Sequence, residues 1–293
     1  MAAIQHWTKG QAVGARRRDF VARAGWLAEH GLLIALAFLV VAPFVWMLAT
    51  SIKPADQIFG EPLDLIPDRF AFAENYGKAL FSVPMLRFML NGVIVVSGIL
   101  IVQVVGALFA GYALAKLEFR GRGVLFALVV LGLCVPIQVP ALPLYLVLAE
   151  LRALDTYFAL MVPFFLSVFA IFLFRQFFKG YPDEVLQAAR LDGMTEVEIV
   201  LRLILPSARP AIAAFSVFSI TAHWNDLYWP LIAINSMERA TPPLGMLLFK
   251  DSELSADFGA LTAGATIITV PLLIVFVLAQ RQFVRGITMS GFK

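Results

Sequence analysis

The chain has 293 residues, of which 60% are hydrophobic and only 15% charged, and its mean hydropathy is +0.84. Soluble globular domains are nearer half apolar and a quarter charged, so this composition excludes an ordinary soluble enzyme and indicates a protein that crosses a membrane several times. The single cysteine, Cys134, excludes a disulfide framework and a cysteine-built zinc site. The formal net charge of +3 is less informative than the positions of the charges.

The N-terminal segment, residues 1–30, precedes the first apolar stretch and contains Arg16, Arg17 and Arg18. We predict a cytoplasmic segment and not a secretory signal, because the apolar stretch after it has about 20 residues and no small-residue cleavage site clearly follows. We therefore interpret that stretch as a retained membrane anchor.

Six stretches are apolar over the length of about 20 helical residues that a bilayer core requires. The third contains Pro136, Pro140 and Pro143, which predict a kinked or broken helix. We predict an all-α integral membrane protein, with a membrane domain at residues 31–282 and a cytoplasmic tail at residues 283–293. The six membrane helices are predicted at residues 32–52, 88–114, 124–148, 157–178, 210–234 and 258–280.

The distribution of lysine and arginine predicts the orientation. With the N-terminus inside, 16 of the 23 Lys and Arg residues lie in cytoplasmic segments, in agreement with the positive-inside rule. The outer loops, residues 53–87 and 235–257, are rich in Asp and Glu. We therefore expect both termini in the cytoplasm. Each outer loop either contacts a soluble partner or simply joins helices. Prolines in the loop at residues 53–87 predict that it is a short irregular cap.

Motifs of the common enzyme classes are absent from the sequence. It contains no G-x-x-x-x-G-K-[ST] phosphate loop, no H-E-x-x-H metal motif and no G-x-S-x-G nucleophile motif. The three histidines are scattered, and no Ser or Asp partner can be placed beside His223 from the sequence. We therefore expect no catalytic residue, no metal and no cofactor bound by this chain.

The longest inner loop, residues 179–209, is polar and has the pattern of two short helices. Pro182 followed by two acidic residues is typical of a helix start, and Gly193 is typical of a helix end that needs a left-handed residue. Thr195 and Glu198 have the spacing of a capping box. We predict a helix–turn–helix between the fourth and fifth spans, parallel or oblique to the membrane.

Three interpretations of the inner loop remain open from its residues. It could be an amphipathic linker at the membrane surface. It could be a DNA-binding helix-turn-helix, which the flanking spans disfavour, so we expect no nucleic-acid partner. It could also be a docking element, because Ala188, Ala189 and Gly193 allow close approach of another backbone.

The inner loop resembles the coupling loop of ABC-importer membrane subunits, in which E-A-A is followed by three residues, Gly, nine residues, Ile, one residue and Leu-Pro. Here Gln187 stands in place of the Glu, and Leu203 stands in place of the Ile. In the family that Glu can pair with a basic residue of the ATPase, whereas Gln187 has no charge for such a salt bridge and can only form a hydrogen bond. The remaining positions match, namely Ala188, Ala189, Gly193, Leu205 and Pro206.

The resemblance covers nearly the whole chain and is specific to the second permease subunit of maltose-type, carbohydrate-uptake importers. It begins at SIKP (51–54), includes FRQFFKGYPDEVLQAARLDG (174–193) and WNDLYWPL (224–231), and ends at the tail GITMSGFK (286–293).

The resemblance implies one half of a heterodimeric permease in the bacterial inner membrane. The implied partners are a second permease subunit, two cytoplasmic ATPase subunits, an extracytoplasmic solute-binding protein, membrane lipid and a sugar solute, and ATP binds to the ATPase chains. It also implies that the tail, residues 290–293, reaches the ATPase interface. The implied ATPase-docking residues are Gln187, Ala188, Ala189, Arg190, Asp192, Gly193, Leu205 and Pro206.

Polar residues at membrane depth are costly and are functional by default. Asn225 lies about 22 Å along the fifth span, in its outer half. Aromatic and amide side chains suit sugar rings, but they equally suit an interfacial aromatic belt or a structural hydrogen-bond network, and these interpretations stay open. The solute-path candidates are Asn91, Gln138, Trp224, Asn225 and Asp226.

Three functions are compatible with the sequence. The first is an ABC-importer permease for a sugar or an oligosaccharide. The second is the same machinery for a polyol or a glycerol phosphate ester, because FLFRQFF (172–178) followed by PDE (182–184) resembles those subunits too. The third is a stand-alone channel, a secondary transporter or a membrane enzyme. The sequence does not identify the solute.

Overall fold

The computed structural model describes the backbone of residues 2–59, 65–250 and 257–289, and the side chains of residues 25–59, 65–247 and 257–280. Within these ranges every regular element is a helix, as the composition predicts. The α-helices are α1 (Ala2–Ser51), α2 (Phe72–Phe81), α3 (Met85–Lys116), α4 (Arg122–Gly132), α5 (Gln138–Glu150), α6 (Tyr157–Met161), α7 (Val168–Lys179), α8 (Asp183–Leu191), α9 (Glu196–Ile199), α10 (Leu205–Ser207), α11 (Arg209–Trp224), α12 (Tyr228–Ala233), α13 (Pro242–Lys250) and α14 (Phe258–Met289).

Three of the described helices are long and apolar enough to cross a membrane, namely Gly25–Ser51 within α1, the whole of α3, and Phe258–Gln280 within α14. Two bent pairs of helices add a fourth and a fifth candidate if each pair forms one span. The pairs are α6 with α7 and the 196–207 segment with α11. The structure therefore contains three to five candidates in its described part, and the predicted set of six spans is not confirmed.

The predicted third span is broken, as its prolines indicate. Its two pieces, α4 and α5, have 11 and 13 residues, and Pro136 lies between them. Each piece alone is shorter than the hydrocarbon core of a bilayer.

The predicted fourth and fifth spans each contain a helix break that the sequence did not indicate. Ser167 starts α7 by accepting a hydrogen bond from the backbone N–H of Ala170 at 3.1 Å. Asp226, two residues before the start of α12, likewise accepts a hydrogen bond from the N–H of Trp229 at 3.3 Å. Such caps satisfy N–H groups that a new helix leaves free, so a new helix can begin inside an apolar stretch.

The first outer loop is not wholly irregular, because it contains α2. Asn75 of α2 donates from Nδ2 to the carbonyls of Ser51 at 2.9 Å and Lys53 at 2.8 Å. Lys78 pairs with Asp257 at 2.8 Å, beside the start of α14, and the hydrogen bond to Asp257 raises the pKa of Lys78. This short helix therefore ties the end of α1 to the start of α14.

The central helix is α3, which packs most extensively against α7 and also contacts α11 and α13. Gly245 of α13 is required for one of these contacts, because a Cβ there would overlap the ring of Phe88. By contrast, only 6% of the apolar window of α1 is buried inside the chain. Most of this window is therefore available to lipid or to another subunit.

The two termini of the chain are more helical than predicted. The segment assigned to residues 1–30 continues without a break into the first candidate span as α1, and α14 extends into the tail as far as Met289. The predicted ATPase contact of residues 290–293 lies outside the described residues.

Candidate functional site

The first half of the inner loop is α8, and its ends form by the predicted local rules. Pro182 precedes α8, which starts at Asp183. Gly193 has a φ of +83° and donates its N–H to the carbonyl of Arg190 at 3.1 Å, while Met194 donates to Ala189 at 3.0 Å. These are the two hydrogen bonds of a Schellman turn, which stops the helix and satisfies its last carbonyls.

The second half of the inner loop begins with the predicted capping box. Glu198 donates its N–H to Thr195 Oγ1 at 3.3 Å, and Thr195 donates its N–H to Glu198 Oε2 at 3.0 Å. A π-helical turn, Val200–Ile204, follows α9. Pro206 has no N–H to bond the carbonyl four residues earlier, which accounts for an irregular ladder at this point. The chain then bends by 77° into α11.

One face of the inner loop is buried against α3 and α7. Leu186 and Ala189 are 1% and 5% exposed, so Ala189, which the resemblance assigned to docking, faces inward and supports the loop. The buried cluster that receives this face contains Leu108, Tyr112, Ala115, Phe174, Phe178, Ile199, Val200, Ile204 and Ala208.

The opposite face of α8 is exposed. The side chain of Leu191 is 89% exposed, although it lies in a polar loop and not on a long apolar helix. An apolar side chain in this setting is typical of a protein contact surface. Sequence reasoning missed Leu191, although it follows Ala188 by three residues and therefore shares its face. We name the exposed residues Gln187, Ala188, Leu191, Asp192 and Gly193 the docking face.

The two last predicted docking residues lie at the bend into α11. Leu205 is half-buried and Pro206 is exposed. They are therefore separate from the docking face along the chain, and the structure shows no contact that joins them to it within the described residues.

Arg190 makes an internal contact. Its Nε donates to Glu196 Oε1 at 2.8 Å and joins the two halves of the inner loop. The hydrogen bond to Glu196 raises the pKa of Arg190, so the guanidinium stays charged. The hydroxyl of Tyr112, on α3, donates to Glu196 Oε2 at 2.5 Å, the short distance expected for a hydrogen bond to an ionised carboxylate.

A second attachment lies one turn further along α3. The side chain of Lys116 is 6% exposed, and its Nζ donates to the carbonyl of Tyr181 and to Asp183 Oδ1, both at 2.6 Å. Residues four apart on a helix share a face, so Tyr112 and Lys116 hold the start of α9 and the start of α8 from one side of α3. We name Tyr112, Lys116, Asp183, Arg190 and Glu196 the clamp.

The contacts of the clamp differ in strength. The side chains of Arg190 and Glu196 are 38% and 42% exposed, and an ion pair so accessible to water contributes at most about 1 kcal/mol. Tyr112 is only 2% exposed, and a hydrogen bond to a charged group contributes about 1.5–3 kcal/mol, with the exposure of Glu196 favouring the lower end of that range. The bond between Tyr112 and Glu196 is therefore the stronger of these two polar contacts, and it links α9 to α3.

Two of the predicted solute-path residues have structural roles. Asn91 donates from Nδ2 to the carbonyls of Glu238 at 3.0 Å and Ala240 at 2.9 Å, and its Oδ1 accepts from the hydroxyl of Tyr157 at 2.7 Å. Trp224 donates from Nε1 to a carbonyl of α14 at 3.0 Å. Both side chains are buried, so the contacts favour the structural interpretation that the sequence left open.

Asn225 and Asp226 lie in the break between α11 and α12. Asn225 is exposed and donates from Nδ2 to the carbonyl of Thr221 at 2.9 Å. Asp226 is half-buried and accepts a hydrogen bond from the backbone N–H of Trp229 in α12. The two residues are therefore part of a helix break and are not brought together with Asn91.

Gln138 lies at an open cleft between α5 and α12 with a volume of about 480 Å³. The side-chain amide of Gln138 and the hydroxyls of Tyr145 and Tyr228 take part in none of the side-chain hydrogen bonds found among the described residues. Sequence reasoning did not assign Tyr145 to the path, although it follows Gln138 by two helical turns and so lies on the same side of α5. The cleft is lined by Gln138, Ala141, Leu142, Tyr145, Tyr228 and Ile232.

A polar network at membrane depth was also missed. Gln103 of α3 donates from Nε2 to the carbonyl of Phe164 at 2.7 Å and accepts at Oε1 from Ser219 at 2.7 Å. Its Nε2 also lies 3.2 Å from Nε2 of His223. The signal in the sequence was a glutamine inside the second predicted span. The network joins α3, α11 and the break between α6 and α7.

Most of the chain matches a known protein family. Residues 103–289 match the family described as the binding-protein-dependent transport system inner membrane component. This interval includes the inner loop, the clamp and the cleft.

Curated relatives match over most of their length. The chain is 32% identical over 271 residues to the arabinooligosaccharides transport system permease protein AraQ of Halalkalibacterium halodurans, covering 92% of this chain and 96% of that protein. It is 30% identical over 269 residues to the sn-glycerol-3-phosphate transport system permease protein UgpE of Brucella abortus, covering 89% and 95%.

A solved structure has the same fold. It is the crystal structure of a bacterial ABC transporter involved in the import of the acidic polysaccharide alginate, and one of its chains superposes with a TM-score of 0.80 at 22% sequence identity. The match covers 89% of this chain and 97% of that chain.

Proposed function

Because the chain belongs to the family of binding-protein-dependent transport system inner membrane components, we propose that it couples an ATPase to the import of a sugar or an oligosaccharide. It forms half of the translocation path, and a second permease subunit forms the other half. The observation that carries this proposal is the arrangement of the inner loop, whose docking face is exposed while its other face is clamped to α3.

This arrangement is suited to the transmission of force. A partner that binds the docking face moves α8, and the clamp passes that movement to α3. Since α3 packs against α7 and α11, the movement reaches the helices around the membrane-depth network. Closure of two ATPase subunits on ATP would in this way shift the permease between two packed states.

The orientation and the partners follow from the same proposal. The excess of Lys and Arg on the inner-loop side supports a cytoplasmic location of the docking face in a bacterial inner membrane, with both termini and six membrane crossings as predicted. ATP binding and hydrolysis belong to the partner chains. An extracytoplasmic binding protein delivers the solute at the opposite end of the helices.

The solute class is supported by the cleft and by a relative. All six residues that line the cleft are uncharged, whereas a phosphate ester is usually recognised by Arg, Lys or clustered backbone N–H groups. The relative AraQ is named for arabinooligosaccharides. A glycerol phosphate ester is the second candidate, because the relative UgpE is named for sn-glycerol-3-phosphate.

The function is tested by purification and reconstitution. The chain, tagged and isolated from its native membrane, should copurify with an ATPase and a second permease. In proteoliposomes with the binding protein, uptake of a labelled arabinooligosaccharide should require ATP, and labelled glycerol 3-phosphate tests the second candidate in parallel. Uptake that proceeds without any ATPase would contradict the proposal and indicate a channel or a secondary transporter.

Gln187→Glu is expected to keep or strengthen ATPase binding. Gln187 is exposed on the docking face, and a carboxylate there could form the ion pair that the family pattern implies. At an exposed site such a pair contributes about 0.2–1 kcal/mol, which is up to a fivefold gain in affinity. Titration of the reconstituted permease with the ATPase measures the change. Complete loss of binding would show that the interface depends on the amide of Gln187. Gln187→Ala is the control, because it removes the amide without adding a charge.

A further inference from the structure

We propose that the cleft between α5 and α12 is a binding site for the ring of a neutral carbohydrate, formed by Gln138, Tyr145 and Tyr228. This inference rests on the proposed function and assigns the contribution of this chain to the solute path. The residues come from the pieces of two broken spans, which sequence reasoning treated separately.

Unused hydrogen-bonding groups support the site. Within the described part of the chain, the amide of Gln138 and the hydroxyls of Tyr145 and Tyr228 take part in none of the side-chain hydrogen bonds, although all three line one cleft. A polar group that faces hydrocarbon without a partner costs several kcal/mol. Three such groups at one cleft are therefore better placed against water and solute than against lipid.

The position of the cleft is consistent with a path across the membrane. Gln138 is the first residue of α5 and follows the break in the predicted third span. Tyr228 is the first residue of α12 and follows the break in the predicted fifth span. Broken helices are tolerated at membrane depth where they line a cavity, because water or solute can satisfy the free backbone groups.

The walls of the cleft are held in place from behind. Trp229, next to Tyr228, is 1% exposed and donates from Nε1 to the carbonyl of Ala159 at 2.8 Å. It belongs to one buried cluster with Ala141 of α5. The two helices are therefore fixed to each other, and a site on rigid supports loses little entropy when it binds a solute.

The chemistry of the lining selects the solute. A phenol ring offers an apolar face for the C–H side of a sugar ring, and its hydroxyl can donate or accept a hydrogen bond. The amide of Gln138 offers a donor and an acceptor together, which suits neighbouring hydroxyl groups. Since the lining has no charged residue, nothing in it balances a phosphate or a carboxylate.

Cysteine labelling tests whether the cleft contains water. Cys134 is the only cysteine of this chain, so Cys134→Ser provides a clean background when the assembled transporter is labelled and the label on this chain alone is measured. A charged, membrane-impermeant thiol reagent should modify Gln138→Cys and Tyr228→Cys at least about tenfold faster than apolar controls outside the cleft, because the thiolate forms only in water. The controls are Val139→Cys and Leu231→Cys, whose parent side chains are 65% and 53% exposed but do not line the cleft. Equal labelling of cleft and control positions would overturn the proposal.

Transport kinetics test the bound solute, with arabinotriose as the probe. Tyr145→Phe and Tyr228→Phe keep the ring and remove one hydroxyl, so each should raise KM about fivefold while the maximal rate is kept, as expected for the loss of one hydrogen bond. An unchanged KM in both variants would refute sugar binding at the cleft.

The labelling arm needs no solute, so it is independent of the proposed function. If the wild-type transporter takes up glycerol 3-phosphate and no arabinotriose, the sugar assignment fails for the whole transporter and for the cleft. If it takes up arabinotriose but cleft and control cysteines react equally, the proposed function stands and the site is wrong.

Discussion

Gly193→Trp is expected to abolish solute-stimulated ATP hydrolysis while the chain still inserts into the membrane and assembles with the second permease. A Cβ at Gly193 would have nothing within 4 Å, so an indole there projects from the docking face into the space that the ATPase should occupy. Loss of a central interface contact costs about 2 kcal/mol or more, which is at least thirtyfold in affinity. ATP hydrolysis by the reconstituted transporter, with and without solute and binding protein, gives the measurement.

Two further variants separate bulk from backbone strain. Gly193→Ala imposes the same left-handed conformation on a residue with a side chain, at a cost of about 1–2 kcal/mol, but adds no bulk, so it should keep most of the coupling. Leu191→Asp leaves the turn unchanged and places a charge at the most exposed apolar position of the docking face, so it should weaken coupling as Gly193→Trp does. Normal coupling in both Gly193→Trp and Leu191→Asp would refute the docking assignment.

Tyr112→Phe and Glu196→Gln are expected to uncouple transport from ATP hydrolysis without loss of ATPase binding. Each change weakens the 2.5 Å hydrogen bond that links α9 to α3, and neither alters the docking face. Removal of a bond worth about 1.5 kcal/mol, the lower end of the range for a charged group, should lower the number of solute molecules moved per ATP about tenfold. Parallel measurement of uptake and phosphate release gives this ratio.

The control for the clamp is Glu198→Gln, two residues away in the same loop. The carboxylate of Glu198 bonds only within the loop, to Thr195 and to Arg202, so its replacement should cost some stability of α9 but leave the transport ratio near that of the wild type. The double variant of Tyr112 and Glu196 should be no worse than the more affected single variant, because both changes remove one interaction. Fully additive losses, or equal losses in Glu198→Gln, would show that the clamp does not transmit the movement.

The local structure of the inner loop was predictable because it depends on neighbouring residues. The left-handed turn at Gly193 and the capping box of Thr195 and Glu198 involve residues a few positions apart, and each follows from the conformational preference or hydrogen-bonding groups of single side chains. The long apolar helices were predictable for a similar reason, since hydrocarbon requires all backbone hydrogen bonds to be made within the segment.

The positions of the helix breaks were only partly predictable. The prolines of the third span indicated its break, because proline lacks an N–H and cannot continue the ladder. The breaks at Ser167 and Asp226 depend on whether a polar side chain turns back to cap a new helix or remains on the face of a continuous one. Both conformations are locally allowed for such residues, and packing against the neighbouring helices decides between them.

The amino-acid sequence alone determined that this chain is an all-helical membrane protein, and its local pattern determined the two helices of the inner loop. Only the tertiary structure decided which face of α8 is exposed. Leu191 lies at the surface, whereas Ala189, which the resemblance assigned to docking, is buried. It also joined Tyr112 to Glu196, 84 residues apart, and brought Gln138 and Tyr228 to one cleft. The physical reason is the separation along the chain of the residues that interact. Caps, turns and apolar length depend on a few adjacent residues, whereas burial, ion pairs and cavities depend on which distant helices pack together.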